Sequence, residues 1–473
     1  MRLMPLPKRH KSNLPENFLP PAAYEAYQGI RSMRQPISGL PDYFQNSDLF
    51  KYELKILRDF CEKLSRKLGK KLSILEIGCE QGFFSLALAQ DGHKLVCTDT
   101  SHENLIFVNE LALLHGVQAN LTTFRGEYND IFENKEMEFD LVLMLGGSDY
   151  LNLNYSTTQI EILLGNISTR SKIFIFEYPI IEPGAFWSIS IPKNNDWIFK
   201  HFKNFFEIDL VKKHNRGLSR PLLILTNNLI LNNGNFYDEK EYHNVVRHDF
   251  AKHLPNRRNS YITAGVITKI ELGEIGIKTE LSREAEILLR MKQENFTHLS
   301  FPKIQDFKQG IWVTQLTRES FSGQRLDLGW PADQSALILK SFIDLCARWS
   351  KAKLFHNDIR PWNLIWNGTE LALIDYSAVD KFDKDANGLP QILSFLLVAN
   401  YLAAGPSSIS SFNIVEVIEK FYHHEKINDL NRESLYNNSW LIFHKKIVDV
   451  KSIDYASKSK SFDEIISIFL GPR

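Results

Sequence analysis

The chain is poor in cysteine, in charge imbalance and in long apolar runs. Four cysteines occur in 473 residues: Cys61, Cys79, Cys97 and Cys346, with no C-x-x-C among them. That spacing gives no zinc knot and no disulfide framework, and points to buried thiols in a reducing compartment. Lys plus Arg and Asp plus Glu are both 56, so bulk charge cannot drive nucleic-acid binding. No apolar run reaches the roughly 18 residues of a spanning helix. The stretch from Met1 to Arg9 lacks the apolar core of a signal peptide. The expected location is the cytoplasm. Hydrophobic residues make up 44% of the chain, enough for substantial cores, and its length suits two or three domains.

The pattern of elements changes once. Residues 1–39 are proline-rich and basic without a sustained period, and are expected to form a partly disordered arm. Lys51 to Leu68 has helical apolar spacing. Short apolar runs follow at Lys71 to Ile77, Lys94 to Thr98, Phe139 to Leu145 and Ile173 to Glu177. They alternate with helical segments at Phe83 to Ala89 and Leu105 to His115, which predicts a parallel, doubly wound α/β sheet. Arg220 to Leu231 reads as a late strand pair of the same domain. The turn-rich break Asn232-Asn233-Gly234-Asn235 is taken as the end of the first domain, 40–234. In the remainder, 235–473, Tyr261 to Leu272 and Ile311 to Leu316 read as strands, with helices at Ser282 to Met291 and Ala332 to Lys351. A few strands and one helix before a mostly helical half fit a two-lobed, protein-kinase-like domain.

Two motifs carry chemistry. The first is Leu75-Glu76-Ile77-Gly78-Cys79-Glu80-Gln81-Gly82-Phe83, a strand running into a glycine turn and a helix. Such a turn sets backbone N–H groups beside a ligand, and Gly78 and Gly82 let it approach closely. Asp99 closes the next strand, where a carboxylate can accept ribose hydroxyls; capping the following helix is its alternative role. Glu76 would orient the amino-acid end of S-adenosylmethionine (SAM). Glu80 and Phe83 replace glycines of the dinucleotide fingerprint, which favours a SAM-dependent methyltransferase over a dinucleotide site.

The second motif is His356-Asn357-Asp358-Ile359-Arg360-Pro361-Trp362-Asn363, followed by Leu373-Ile374-Asp375-Tyr376. Here Asp358 is placed to accept the proton of an attacking hydroxyl, while Asn363 and Asp375 would hold Mg²⁺ against the phosphates of ATP. Arg360 would brace the transferred group with its planar fork, and His356 would support the loop. Lys269 and Glu284 can form the ion pair that holds the ATP phosphates, with Lys278 and Glu286 as rivals. No G-x-G-x-x-G precedes Lys269; only Gly265 is present, so cover for the phosphates would come from Arg257, Arg258 and Tyr261, or those residues form a solvated turn. Tyr376-Ser377 stands where Phe-Gly would allow a regulatory flip.

These motifs, in this order, resemble the bifunctional methyltransferase/kinase family that terminates bacterial O-antigen polymannose chains. The resemblance runs from about Leu40 to Asn400. It includes Gln81-Gly82-Phe83-Phe84-Ser85-Leu86, Arg220-Pro221 and Asp358-Ile359-Arg360-Pro361-Trp362-Asn363, the last being the most specific. It implies an enzyme that phosphorylates the terminal sugar of a lipid-linked polysaccharide and methylates that phosphate. It also implies a glycosyltransferase polymerase as partner. Arg220 is a candidate to hold the phosphate. The chain reads Gly146-Gly147-Ser148-Asp149-Tyr150 where the family would have a histidine pair, so phosphate and hydroxyl both stay open as methyl acceptors. The family's long C-terminal coiled coil has no counterpart in Lys451 to Arg473, which lacks heptads; Phe462 to Leu470 is a short amphipathic segment that either docks a partner or packs on its own domain. The competing readings are a methyltransferase of a sugar hydroxyl whose degenerate kinase domain serves as a scaffold, and an enzyme acting on a diffusible small molecule.

Overall fold

The computed structural model describes most of residues 19–30, 47–145, 155–178, 198–248 and 258–380. Two compact units divide the chain, the first running to Tyr242 and taking in Gly310–Val313, the second beginning at His243. The division falls after Tyr242, not in the Asn232–Asn235 break, because that break is the tight turn of a hairpin.

The first unit holds a seven-stranded sheet. Its strands are β1 (Ser73–Ile77), β2 (Lys94–Asp99), β3 (Leu121–Arg125), β4 (Phe139–Met144), β5 (Ser171–Glu177), β6 (Asn204–Lys212) and β7 (Ser219–Thr226), in the order β3-β2-β1-β4-β5-β7-β6. Strands β1 to β5 pair in parallel, and β7 runs antiparallel to both neighbours. Central strands covered on both faces read as unbroken apolar runs, and β1 and β4 do so: Ile74, Leu75, Ile77, Leu141, Val142, Leu143 and Met144 are all fully buried. The order reverses beside β1, since β2 lies on one side and β4 on the other. Ligands of open α/β sheets bind outside the carboxyl ends of strands at such a switch, and the glycine loop leaves β1 there.

Helices cover the sheet: α1 (Pro21–Gly29), α2 (Ser47–Leu68), α3 (Phe83–Gln90), α4 (His102–Leu114) and α5 (Thr157–Arg170). α1 falls inside the segment expected to be a partly disordered arm. Its Ala23 and Tyr27 are buried, and the Tyr27 ring lies 6.2 Å from that of Phe107 on α4. Two aromatic or small side chains four residues apart give this nonamer an apolar stripe that a search for longer periods overlooks. The expected late strand pair separates. β7 joins the large sheet, whereas β8 (Leu229–Asn232) pairs with β9 (Asn235–Asp238) in a ladder of its own.

The second unit contains an antiparallel sheet of β10 (Asn244–His248), β11 (Arg258–Thr263), β12 (Val266–Leu272), β13 (Ile304–Gln309) and β14 (Val313–Glu319), ordered β10-β11-β12-β14-β13. The single strand expected over Tyr261 to Leu272 is two, because Gly265 takes φ +78° between them. Helix α6 (Glu280–Gln293) buries Leu281 and Ala285 against Leu316 of β14. Its N-terminus is capped by Thr279, whose hydroxyl accepts from the Ser282 N–H. A three-stranded ladder follows, β15 (Gln324–Arg325), β16 (Leu364–Trp366) and β17 (Leu371–Leu373), with α7 (Ser335–Lys351). No helix among the described residues is long and apolar enough to cross a membrane.

Candidate functional sites

In the first unit the loop after β1 is held by its neighbour strand. The N–H groups of Gly78 and Cys79 both donate to the Thr98 carbonyl at 2.9 Å. Gly78, Glu80 and Gly82 all have left-handed backbone, at φ +74°, +48° and +71°. A side chain at Gly82 would be strained, and its Cβ would meet Val108 Cγ2 at 2.8 Å. A Cβ at Gly78 would lie 3.4 Å from the Tyr128 hydroxyl. Tyr128, which carries no sequence signal, is thus a lining residue of the loop; its ring stacks on Tyr155.

Asp99 is buried and accepts from the Glu80 N–H (2.9 Å), the Ser101 N–H (2.8 Å) and Asn104 Nδ2 (3.3 Å). Burial pushes its carboxyl up, opposed by these hydrogen bonds. A carboxylate offers about four lone-pair directions and the Thr100 N–H also acts on Asp99, so a ligand hydroxyl would share or displace one of these donors. The cap of α4 is Ser101, not Asp99. Glu76 is buried on β1. Its Oε2 accepts from the Ser85 hydroxyl, while Oε1 is buried with no hydrogen-bond partner. Burial, chiefly, raises this carboxyl to about 7. A buried, unpartnered carboxylate oxygen on the strand that leads into a glycine turn suits the ammonium of an amino acid. The residues therefore fit SAM: Glu76 for the ammonium, Gly78 and Gly82 for close backbone approach, Asp99 for a ribose. Residues 146–150, where the acceptor would be read, lie outside the described residues, as does the side chain of Arg220.

In the second unit Lys269 leaves β12 and meets Glu284 of α6, with Nζ–Oε2 2.6 Å. Arg318 of β14 takes the other oxygen, Nε–Oε1 3.1 Å. All three are buried. Burial alone would raise the Glu284 carboxyl; Lys269, then Arg318, overcome it and hold it below the usual range. Lys278 and Glu286, the rival pair, bond to each other at the surface instead. Sequence reasoning missed Arg318, since Thr-Arg-Glu at a strand end reads as a solvated edge.

The catalytic-loop residues converge by backbone bonds. Asn363 Nδ2 donates to the Asp358 carbonyl (2.8 Å) and to Asp358 Oδ2 (2.9 Å). With its nitrogen committed to the loop, the Asn363 amide oxygen is the atom of this side chain that could face a cation. The Asn363 carbonyl accepts from the Ile374 N–H at 2.9 Å, and His356 Nε2 donates to the Ile374 carbonyl at 3.1 Å. These bonds fix the residue before Asp375 from both sides. Asp375 itself adopts φ +66°, ψ +80°, a strained conformation for a residue with a Cβ. Burial would raise its carboxyl, but Lys269, then Arg258, hold it well below the ordinary range. Burial lowers His356 to about 4, so its ring is neutral and structural.

Tyr376 is fully buried, its hydroxyl donating to the Leu373 carbonyl at 2.9 Å. Its ring lies 5.9 Å from Trp349 and 5.7 Å from His356. Among the residues expected to cover phosphates, Tyr261 is buried in the core and cannot do so. Gly265 makes the β11–β12 turn, and its carbonyl accepts from the Ser320 N–H at 2.9 Å. Arg258 reaches three carboxylates, Glu280 at 2.5 Å, Glu271 at 3.6 Å and Asp375 at 3.8 Å. Arg257 and Arg360 lie outside the described residues. Among those described, no three His, Cys, Asp or Glu side chains form a metal cluster. Mg²⁺ needs none, because it is commonly held by one or two carboxylates plus substrate phosphates; Asp375 and Asn363 fit that role.

Comparison with known proteins agrees with the resemblance read from the motifs. No family model matches the chain. Two curated Escherichia coli proteins, each named O-antigen chain terminator bifunctional methyltransferase/kinase WbdD, are 24% identical to it over 379 residues, 76% of this chain and 52% of theirs. The chain thus spans about half the length of the curated relatives it matches. Among solved structures, WbdD co-crystallised with the kinase inhibitor LY294002 aligns with TM-score 0.59 at 20% identity, covering 89% of this chain and 100% of that one. A 2.2 Å crystal structure of WbdD aligns with TM-score 0.58, at 20% identity and 89% and 99% coverage. The chain shares the mixed α/β fold of those structures.

Proposed function

We propose that the chain is a bifunctional transferase, with a SAM-dependent methyltransferase domain followed by a two-lobed kinase-like domain. Its substrate is the terminal sugar of a lipid-linked surface polysaccharide of the O-antigen type, and the two reactions together cap chain growth. The reading rests on one observation above all: Lys269–Glu284 and Asp358–Asn363–Asp375 stand in one unit, while the Glu76–Gly78–Asp99 loop stands in another. Similarity to relatives named for both activities supports the pairing.

In the phosphoryl transfer, a sugar hydroxyl oxygen bonds to the γ-phosphorus of ATP as the bond to ADP breaks. The hydroxyl proton passes to Asp358. Asn363 fixes the Asp358 carboxylate by its Nδ2 bond, which sets the direction from which the proton is taken. Lys269, oriented by Glu284, neutralises phosphate charge. Asp375 and Asn363 would hold Mg²⁺, which would supply further charge compensation. In the second reaction a phosphate oxygen takes the methyl group as its bond to the sulfonium sulfur breaks. A sugar phosphate is anionic near neutral pH, so no base is required, and alignment provides the rate. Contact with a glycosyltransferase polymerase and peripheral attachment to the membrane belong to the same reading.

The test is mass spectrometry of a synthetic oligosaccharide incubated with SAM, ATP and Mg²⁺. The expected product gains phosphate and methyl together. Unchanged phosphate incorporation by Asp358→Asn would refute the assignment of Asp358, and a product carrying methyl alone would refute the order of the two reactions.

A further inference from the structure

Resting on the phosphoryl-transfer reading, we propose that Arg318 is a positioning residue for nucleotide binding, acting through Glu284 on Lys269. An ion pair of one lysine and one glutamate is a neutral unit. Here the glutamate is shared. Its Oε2 faces Lys269 at 2.6 Å and its Oε1 faces Arg318 at 3.1 Å. The three side chains are 8%, 0% and 1% exposed for Lys269, Glu284 and Arg318, so solvent screens the set little. Within the set one carboxylate stands between two cations, and the Asp375 carboxylate, held ionised by Lys269 and Arg258, adds a second negative charge close to Lys269.

Two consequences follow for a phosphate. Both Glu284 oxygens are committed, so the carboxylate cannot rotate away and α6 is tied to β12 and β14 together. An ammonium has three donors; with one directed at Glu284, Lys269 keeps the others for phosphate oxygens, and Arg318 shares the Glu284 carboxylate that would otherwise face Lys269 alone. No glycine-rich loop precedes Lys269, and Gly265, the glycine nearest to it on the N-terminal side, makes a hairpin turn with nothing within 4 Å of where a Cβ would be. Arg318 also donates NH1 to the Glu319 carbonyl at 3.1 Å, which pins the guanidinium at its own strand. Lysine cannot reproduce this fork.

The experiment is a double-mutant cycle on the full-length protein, titrated calorimetrically with Mg²⁺ and a non-hydrolysable ATP analogue. The variants are R318M, K269M and K269M/R318M, with R318K as the charge-retaining control and thermal melts to establish folding. R318M is expected to weaken binding about tenfold when Lys269 is present, the range of coupling seen for residues in one network. In the K269M background the same change should do less than about twofold, because its route to the nucleotide is gone. R318K should fall between wild type and R318M. A residue that merely stabilises the fold would weaken binding equally in both backgrounds, and that result overturns the inference. So does wild-type affinity in R318M. If R318M melts below the assay temperature, R318K with and without K269M completes the same cycle. Absence of nucleotide binding by the wild type would instead overturn the phosphoryl-transfer reading and this inference with it.

Discussion

Replacing Glu284 with alanine should be among the most destabilising single changes in the second unit. The side chain is fully buried, and two cations converge on it at 2.6 and 3.1 Å. Deleting it leaves Lys269 and Arg318 facing each other across a cavity, both charged and neither exposed beyond 8%. Removing one partner of a buried ion pair costs about 3–5 kcal/mol, most of it the uncompensated charge left behind. At roughly 2–4 °C per kcal/mol for a body of this size, the melting transition of that unit should fall by on the order of 10 °C. Glu286→Ala is the internal control. It lies two residues along the same helix and removes a carboxylate from an exposed pair with Lys278, which should change stability by less than about 1 kcal/mol. Scanning calorimetry of wild type and both variants makes the comparison. If Glu284→Ala lowers the transition no more than Glu286→Ala, the triad is not a buried charge cluster and the reasoning fails.

Three further outcomes are expected. His356 is held neutral by burial, at about 4, below the ordinary histidine value near 6.5. Its contribution to stability is therefore complete above about pH 6.5 and is lost as pH falls toward 4, by about 3 kcal/mol in all. Urea titrations across that range should show the loss, and His356→Gln should flatten it. Glu76 titrates near 7, so affinity for SAM, whose ammonium persists to about pH 8, should rise between pH 6 and 7.5. Calorimetric titration with Glu76→Gln should show weaker binding and no such rise; an identical pH profile would contradict the assigned role. Gly82→Ala combines φ +71° with a 2.8 Å approach to Val108. It should cost about 1–3 kcal/mol of stability and impair SAM binding, measured by thermal melts with and without SAM.

The central strands were legible because each is a short apolar run ending in a turn signal. The outer ones were not, for identifiable reasons. β13 shows apolar side chains at Ile304 and Phe307, three apart, because a bulge between Ile304 and Asp306 shifts the register. A strand with that spacing loses the period of two by which strands are recognised. β6 carries a similar irregularity between Glu207 and Leu210. The hairpin around Gly265 was read as one strand because both arms are rich in β-formers and only one residue marks the turn. In the sites, fixed spacing conveyed Asp358, Asn363 and Asp375, and the strand–glycine–helix pattern conveyed Glu76, Gly78 and Gly82. Arg318 and Tyr128 reach their sites from separate strands or loops. Their proximity comes from tertiary packing, which leaves no local pattern to find.

On the proposed phosphoryl-transfer reading, the burial of Tyr376 bears on how this protein would be inhibited. Compounds that trap a phosphotransferase by rotating the metal-binding aspartate outward need the following aromatic ring to vacate its seat. Here that ring sits beside Trp349 and His356, with its phenol tied to the Leu373 carbonyl. Withdrawing it would break the tie, at roughly 1 kcal/mol, and strand an indole and an imidazole beside a void. Molecules that simply occupy the adenine position face no such penalty, and they are the chemotypes this architecture leaves open.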